Sequence, residues 1–502
     1  MKPMILFFVI ATIAAMLIST ASAQSTIVKL PTGSNTSDFS ITDNSNNVLM
    51  KLFGDGGFSL FGNVSAGAIP MTGAGARLMW YPKKYAFRAG YVEGTQWDDA
   101  NIGLYSTALG KSTTAGGYSS VAMGSYTRAI ADCSTALGNY GLASGKYSTA
   151  MGYVAAAIGE NSTAMGSNTT AVGKNSTAMG SSTNAGGENS TAMGSSTNAS
   201  GTNSTAMGSA TVASAEYSTS MGQSTTASGG NATAMGIGTI ASGRYSTAMG
   251  NYTSSTGTAS TAIGSQTTAS APNSTAMGTW TTASGGYSTA IGCRVTTNGM
   301  DGACIIGDYS DTPTSSSANN QMTMRFAGGY RLFSNSGVTT GVYMNAGVSG
   351  WMNYSDRNSK ENFHQVDGEQ LLVKISELSI SEWNYRGTDA SVRYVGPVAQ
   401  DFYAAFHLGG KDSLGINSIC IDGVNMAAIQ ALEKRTSELK KAYEEIAGLR
   451  QLATEREKTQ QLLNEHLQAE LLQLRESIKG ITQKLAAASF SSGATNISEN
   501  SK

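Results

Sequence analysis

The chain has 502 residues and a formal net charge of −1, and only 13% of its residues are charged. It contains 60 glycines and 7 prolines, whereas average proteins have about 7% glycine and about a quarter charged residues. A near-zero net charge gives no reason to expect binding to nucleic acid or to an anionic membrane surface. Ser, Thr, Ala, Asn and Gly replace the missing charges, so the composition indicates a repetitive structure of small side chains or disorder.

Residues 1–23 are predicted to be a secretory signal peptide. Lys2 supplies the positive charge, residues 4–18 form an apolar run, and residues 21–23 (ASA) form a small-residue cleavage motif. A transmembrane anchor is the alternative, but the apolar run is short for a span. No later stretch is long and apolar enough to cross a bilayer. We therefore expect the mature protein to be secreted or at the cell surface.

Residues 24–103 precede a repeat region and are rich in Gly, Asn and Ser, with alternating stretches that predict short strands and hairpins. Within them, residues 79–94 (MWYPKKYAFRAGYVEG) form the one cluster that is both aromatic and basic. Repeat structures need terminal caps, so this cluster is predicted to close one end of the repeats. A binding face is the alternative.

An A-[MLI]-G motif recurs within residues 104–305 at intervals of 14 residues without an insertion, with Ser220 in place of one alanine. Its glycines are at positions 110, 124, 138, 152, 166, 180, 194, 208, 222, 236, 250, 264, 278 and 292. Disorder has no reason to keep such a register. A typical unit, NSTAMGSSTNASGT (189–202), contains two candidate strands, STAMG and TNAS. An even period presents the same side chains on the same face of every coil, which predicts a parallel β-solenoid with two short strands per coil.

The two faces of the STAMG stretch are expected to differ. A coil of 14 residues encloses a narrow interior, so Ser, Ala and Gly are predicted to face inward, with Thr and the apolar residue outward. We call the apolar positions the methionine column: Leu109, Met123, Leu137, Met151, Met165, Met179, Met193, Met207, Met221, Met235, Met249, Ile263, Met277 and Ile291. A soluble monomer would not leave such a line exposed, so the column predicts an oligomer. The alternative is that it forms the solenoid's own core in a wider coil.

The NSTAMG repeat, over about residues 104–305, resembles the head repeat of trimeric autotransporter adhesins of the YadA type. The resemblance implies a left-handed parallel β-roll, a homotrimer, and often binding to host or matrix surfaces, with the ligand unknown here. Those adhesins end in a membrane β-barrel anchor. This chain has a charged helical pattern instead, which puts that mode of anchoring in doubt.

The 14-residue pattern ends after the repeats and is replaced by patterns typical of hairpins and helices. Residues 306–354 are predicted to be a connector of β-hairpins, and residues 355–424 include an apolar helical stretch, EQLLVKISELSISEWNY. Apolar residues spaced three and four apart predict a trimeric coiled-coil helix over residues 425–488, out of register near 450–462. A lone amphipathic helix is the alternative. Residues 489–502 are predicted to be a disordered tail.

Residues 354–445 carry a second ordered set of motifs: SDRNSKEN, a WNY strand, GPVAQD, and a helix with AIQAL. This order resembles the intramolecular chaperone domain of phage tail spikes and fibres, the peptidase S74 family. In that family the α+β domain trimerises, guides folding of the fibre before it, and then cleaves itself off just before the serine. The resemblance implies cleavage of the Tyr354–Ser355 bond.

Ser355 and Lys360 are the predicted catalytic residues. A serine hydroxyl is a poor nucleophile until a base takes its proton. A lysine can be that base only if burial brings its pKa well below the usual value of about 10.4. The hydroxyl can attack the carbonyl that precedes it because the ring formed is small. Asp356 is a possible support, and an exposed helix cap is the alternative reading of the whole motif.

Cysteines and histidines add no further site. The four cysteines are Cys133, Cys293, Cys304 and Cys420. Cys293 and Cys304 are close enough in sequence to form a disulfide, with small buried side chains as the alternative. The histidines, His364, His407 and His466, are far apart and have no ligand spacing. No metal or cofactor is predicted.

The sequence thus predicts a mainly β, exported, trimeric fibre in which a chaperone domain releases residues 24–354. A structural adhesin that keeps residues 355–502 as an uncleaved stalk is the first alternative. An enzyme acting on an external polysaccharide is less favoured, because acidic residues in the repeats are sparse and unpaired. They include Asp132, Glu160, Glu188 and Glu216.

Overall fold

A computed structural model describes residues 38–53, 56–62, 67–410 and 413–491. The segment predicted to be a signal peptide lies outside these residues. The chain divides into two compact units, the first ending at Gly329 and the second beginning at Tyr330. Among the described residues, no helix has the length and apolar character needed to span a bilayer.

The repeats form a parallel β-solenoid with one long and one short strand per coil, as predicted. The long strands are Thr107–Lys111, Val121–Ser125, Thr135–Asn139, Thr149–Tyr153, Thr163–Ser167, Thr177–Ser181, Thr191–Ser195, Thr205–Ser209, Thr219–Gln223, Thr233–Ile237, Thr247–Asn251, Thr261–Ser265, Thr275–Thr279, Thr289–Cys293, Cys304–Gly307 and Met322–Arg325. The short strands are Thr114–Ala115, Arg128–Ala129, Leu142–Ala143, Ala156–Ala157, Thr170–Ala171, Asn184–Ala185, Asn198–Ala199, Val212–Ala213, Thr226–Ala227, Ile240–Ala241, Ser254–Ser255, Thr268–Ala269, Thr282–Ala283, Val295–Thr296 and Thr314–Ser315. Each strand pairs in register with its equivalent in the next coil, so that Ala192 lies beside Ala206.

The solenoid continues beyond the predicted limit of residue 305. Cys304–Gly307 pairs in parallel with Thr289–Cys293, and Met322–Arg325 pairs in parallel with Cys304–Gly307. Residues 322–325, predicted to belong to a hairpin, are therefore the last long strand. The longer loops between these strands hide the 14-residue period in the sequence.

The interior of the coils is built from small side chains. In a typical coil the inward residues Ser190, Ala192, Thr197 and Ala199 are at most 1% exposed. In this coil Ser190 Oγ donates to Gly187 O at 2.6 Å, which satisfies a buried hydroxyl, whereas the equivalent hydroxyls of Ser162 and Ser204 have no partner. The prediction that Ser and Ala face inward is confirmed.

The methionine column lies on the outer face and is half-buried to exposed along its length. The alternative that it forms the solenoid's own core is therefore wrong. The prediction for the motif glycine was also wrong, because Gly194 does not line the interior. It has a φ of +123°, and a Cβ there would lie 2.0 Å from the carbonyl oxygen of Gly208 in the next coil.

The N-terminal residues form two β structures. Asp38–Thr42, Val48–Phe53 and Phe58–Leu60 make an antiparallel sheet. Gly75–Tyr81 and Ala86–Val92 make a hairpin, and its second strand pairs in parallel with the first long strand of the solenoid. Short 3₁₀ turns occupy Pro82–Lys84 and Asp99–Asn101.

The hairpin closes the first coil with a buried arginine. Arg88 lies beside Ala108 and is fully buried. Its guanidinium donates to the carbonyls of Ser106 and Ala115 at 2.8 and 3.1 Å. Trp97 is also fully buried. The aromatic and basic cluster of the sequence therefore fills the open end of the solenoid.

The second unit begins with an antiparallel sheet of Gly329–Phe333, Gly341–Asn345 and Met352–Asn353. A 3₁₀ turn follows at Arg357–Ser359, and Ser381–Trp383 pairs with Tyr394–Gly396. The helices are α1 (Gly368–Glu377), α2 (Ala399–Phe406) and α3 (Ser418–Ser491). Leu371 of α1, Phe402 of α2, and Val424 and Ala428 of α3 form its small buried core.

Three helix predictions need correction. The helical stretch predicted to run to residue 385 ends at Glu377, and residues 381–383 form a strand. The helix predicted over 425–488 begins at Ser418 and includes residues 489–491 of the predicted tail. The helix is continuous through 450–462, as a change of heptad register allows. Residues 492–502 lie outside the described residues.

All four cysteines are described, and all four are free. Of the two alternatives for Cys293 and Cys304, the disulfide does not form because the strands separate the two thiols. Cys304 lies beside Thr289 in the ladder, whereas Cys293 is at the far end of the strand that contains Thr289.

Candidate functional site

The predicted scissile bond lies just after the last strand of the antiparallel sheet in the second unit. That strand is Met352–Asn353. The backbone N–H of the next residue, Tyr354, donates to Gly341 O at 3.1 Å. Tyr354 is thus the last residue that the sheet holds, and Ser355 is the first residue beyond it.

A tight turn follows Ser355 and is organised by Asp356. The carboxylate of Asp356 accepts the N–H of Asn358 at 3.0 Å and caps the 3₁₀ turn. Ser359 Oγ donates to the carbonyl of Asp356 at 2.8 Å. Aspartate is a preferred N-cap residue because its short side chain reaches the free N–H groups of a first turn. The cap fixes the path of the chain between the two predicted catalytic residues.

The turn brings Ser355 and Lys360 together. Lys360 Nζ lies 2.5 Å from Ser355 Oγ, and both residues are exposed. This distance suits proton transfer between a nucleophile and its base. Because both side chains face solvent, the pair in the single chain lacks the desolvation that a lysine base needs.

Two further residues at this site were not predicted. Tyr354 packs against Phe333 and Tyr343, with ring centroids 5.1 and 4.6 Å apart. Phe333 and Tyr343 come from the two earlier strands of the sheet. The aromatic residues in the two strands are the sequence feature that could have pointed to Phe333 and Tyr343. Only the pairing of the strands places them beside the scissile bond.

The other candidate groups do not assemble into a site. Asp132, Glu160, Glu188 and Glu216 occur once every second coil on exposed turns, and Lys174 forms a 3.5 Å ion pair with Glu160. Within the described residues, no three His, Cys, Asp or Glu side chains are close enough to hold a metal ion.

Comparisons with known families locate two regions of the chain. Residues 355–410 match the Peptidase_S74 family, described as the chaperone of endosialidase. The YadA head domain repeat matches eight times, at 102–127, 115–140, 143–169, 171–197, 199–225, 227–253, 255–279 and 269–292. No curated protein matches the chain.

The matches coincide with the structural features. The head repeats cover the regular coils of the solenoid, and the chaperone match begins at Ser355 itself. The chain therefore joins YadA-type head repeats to a Peptidase_S74-type domain, which is the organisation of an adhesin or fibre protein with a chaperone domain.

Proposed function

We propose that the chain forms an exported homotrimeric fibre whose segment from Ser355 onward assembles three chains and then cuts the Tyr354–Ser355 bond. The observation that carries the proposal is the 2.5 Å contact between Lys360 Nζ and Ser355 Oγ at the first residue of the chaperone match. YadA-like adhesins and tail fibres are typically exported or surface-exposed, which supports the location.

Two apolar surfaces support trimerisation. The methionine column runs along the outer face of the solenoid, where a monomer would expose it to water. Helix α3 carries a second set of exposed apolar residues, including Leu439, Tyr443 and Ile446, and Leu474, Ile478 and Ile481. Their spacing of three to four residues is typical of a coiled-coil seam. Three chains that meet along both surfaces would bury them.

A registering domain suits a solenoid of near-identical coils. Each coil has nearly the same surface as its neighbours, so three chains can pair one or more coils out of register at little cost. A trimeric helix that follows the repeats in the sequence would set the correct alignment before the coils associate. Its removal would leave the aligned fibre kinetically trapped.

The cleavage reaction uses groups of this chain and one water molecule. Ser355 Oγ attacks the Tyr354 carbonyl carbon while Lys360 Nζ accepts the hydroxyl proton. The C–N bond breaks as that proton passes to the departing Ser355 nitrogen, which leaves an ester between Tyr354 and Ser355 Oγ. Water hydrolyses the ester to a Tyr354 carboxylate and a Ser355 that carries a free amine and a free hydroxyl.

Assembly would control this reaction by removing water from around Ser355 and Lys360. Ser355 and Lys360 are exposed in the single chain, so the pair there lacks the shielding from water that a lysine base needs. Burial of the pair against neighbouring chains would favour the neutral amine. Cleavage would then follow trimerisation and not precede it.

The test is expression of residues 24–502 with denaturing electrophoresis and N-terminal sequencing of the smaller fragment. We expect a fragment that begins Ser-Asp-Arg-Asn from the unmodified chain, and none from Ser355→Ala or Lys360→Met. Ser376→Ala and Lys374→Met change the same residue types on exposed positions of α1 and should cleave normally. An assembled but intact unmodified chain would contradict self-cleavage.

A second candidate function is a structural adhesin with a permanently attached stalk. The exposure of Ser355 and Lys360 favours it, because a lysine base needs burial away from water. The same experiment distinguishes the two: an intact trimer of residues 24–502, unaffected by Ser355→Ala, supports the stalk.

A further inference from the structure

The residue on the acyl side of the scissile bond is held more firmly than the residues after it. Tyr354 is half-buried, whereas Ser355 and the turn that follows are exposed. Its N–H is bonded to Gly341 O, and its ring contacts both Phe333 and Tyr343. We call Phe333, Tyr343 and Tyr354 the aromatic clamp.

We propose that the aromatic clamp positions the Tyr354 carbonyl for attack by Ser355, so that cleavage requires the antiparallel sheet to have folded. The proposal rests on the self-cleavage proposed above and adds a condition for it, namely that the sheet must fold first. Phe333 and Tyr343 act through Tyr354 and touch no reacting atom, so they are positioning residues.

Attack requires the Ser355 hydroxyl and the Tyr354 carbonyl to be held in the right relative orientation. Ser355 Oγ is fixed from one side by the Asp356 turn and the contact with Lys360. The carbonyl that it attacks rotates with the backbone of Tyr354, so a fixed hydroxyl is productive only if Tyr354 is fixed as well. Small displacements of reacting groups cost enzymes large factors in rate, up to about a hundredfold for 1 Å.

The three residues of the aromatic clamp come from the three different strands of the sheet or lie directly after them. Phe333 lies in the first strand and Tyr343 in the second, and Tyr354 directly follows the third. The three rings can meet only after the strands have paired. A chain with an unfolded sheet would therefore keep its chaperone domain, even with Ser355 and Lys360 in contact.

The clamp also separates the products. When the C–N bond breaks, the two parts of the chain remain joined through the ester between Tyr354 and Ser355 Oγ. Only hydrolysis of that ester by water separates them: the Tyr354 carboxylate stays with the sheet, and Ser355, with its free amine and hydroxyl, leaves with the segment that follows.

The experiment measures cleavage per assembled chain in residues 24–502 by pulse-chase synthesis, with assembly followed in parallel by sedimentation. Phe333→Leu and Tyr343→Leu keep apolar volume but remove a ring, and we expect cleavage to be about tenfold slower or more. Tyr343→Phe keeps the ring and should restore the unmodified rate. Leu332→Ala is the matched control, because Leu332 lies in the same strand as Phe333 with its side chain exposed.

The outcomes separate the two proposals. If the unmodified chain assembles and never cleaves, the proposed self-cleavage fails. If it cleaves, and both leucine variants assemble and cleave at the same rate as Leu332→Ala, the clamp is overturned while self-cleavage stands. Equal slowing in Leu332→Ala would also overturn the clamp, because it would assign the effect to the stability of the sheet.

Discussion

At the scale of the residue, two glycines of one coil have different roles. Gly194 has a φ of +123°, and a Cβ would lie 2.0 Å from the next coil's Gly208 O. Gly186 meets nothing closer than 3.6 Å, and the next coil has Ser200 at the equivalent position. The first glycine is required by backbone conformation and by the close approach of coils, and the second is replaceable.

We therefore expect Gly194→Ala to lower the free energy of unfolding by more than about 2 kcal/mol, because it adds both left-handed strain and a backbone clash. Gly186→Ala should stay within about 0.5 kcal/mol of the unmodified protein. Guanidinium unfolding followed by circular dichroism measures both. Equal effects of the two substitutions would contradict the assigned roles.

At the scale of the element, the two ends of the solenoid differ from its middle because they carry stabilised carboxylates. At the first end, the Tyr81 hydroxyl and then Lys84 lower the pKa of Asp99. At the last end, the Ala327 N–H, at 2.6 Å, and then Arg325 lower the pKa of Asp308. The interior of the regular coils consists of Ser, Thr and Ala and has no group that titrates.

Acid should therefore loosen the ends before the middle. A carboxylate with a lowered pKa in the folded state contributes stability above its unfolded pKa of about 3.9, and this is lost as pH falls through the lowered value. Within residues 67–329, we expect pepsin at pH 2 to cut first before residue 107 or after residue 304, and to cut those ends more slowly at pH 4. Mass spectrometry locates the cuts.

Asp308→Asn tests the same prediction at one end. It removes the titrating group, so the last coils should become equally sensitive at both pH values while the first end keeps its pH dependence. First cuts in the central coils at pH 2 would contradict the assignment of acid sensitivity to the ends.

At the scale of the whole molecule, the outer face of the solenoid carries the apolar side chains that could be buried between chains. The interior of the regular coils is too narrow for large apolar side chains, so the side chains buried there are mainly those of Ser, Thr and Ala, and the methionines face outward. Burial of the methionine column between chains would supply hydrophobic stabilisation of about 25 cal/mol per Å² that the single coil lacks. The column and the repeats together therefore favour assembly.

We expect residues 24–502 to sediment with the mass of three chains. Replacing Met179 and Met193 with lysine should abolish or weaken this trimer, because it places six charges in the interface. The matched control is Ser181→Lys with Ser195→Lys, at exposed positions two residues later on the same strands. A trimer that tolerates the first pair as well as the second would remove the methionine column from the interface.

The sequence alone determined the solenoid, its two strands per coil and the outward methionine column, because an unbroken even period repeats one local pattern in every coil. The prediction of Ser355 and Lys360 as the catalytic pair came from the resemblance of their short, contiguous motif to the S74 family, and it remains a prediction. The role of Gly194, the extension of the solenoid to Arg325 and the contacts of Tyr354 with Phe333 and Tyr343 were decided only by the tertiary structure. Each depends on contacts between backbones or strands that are distant in sequence, and periodicity carries no information about such contacts.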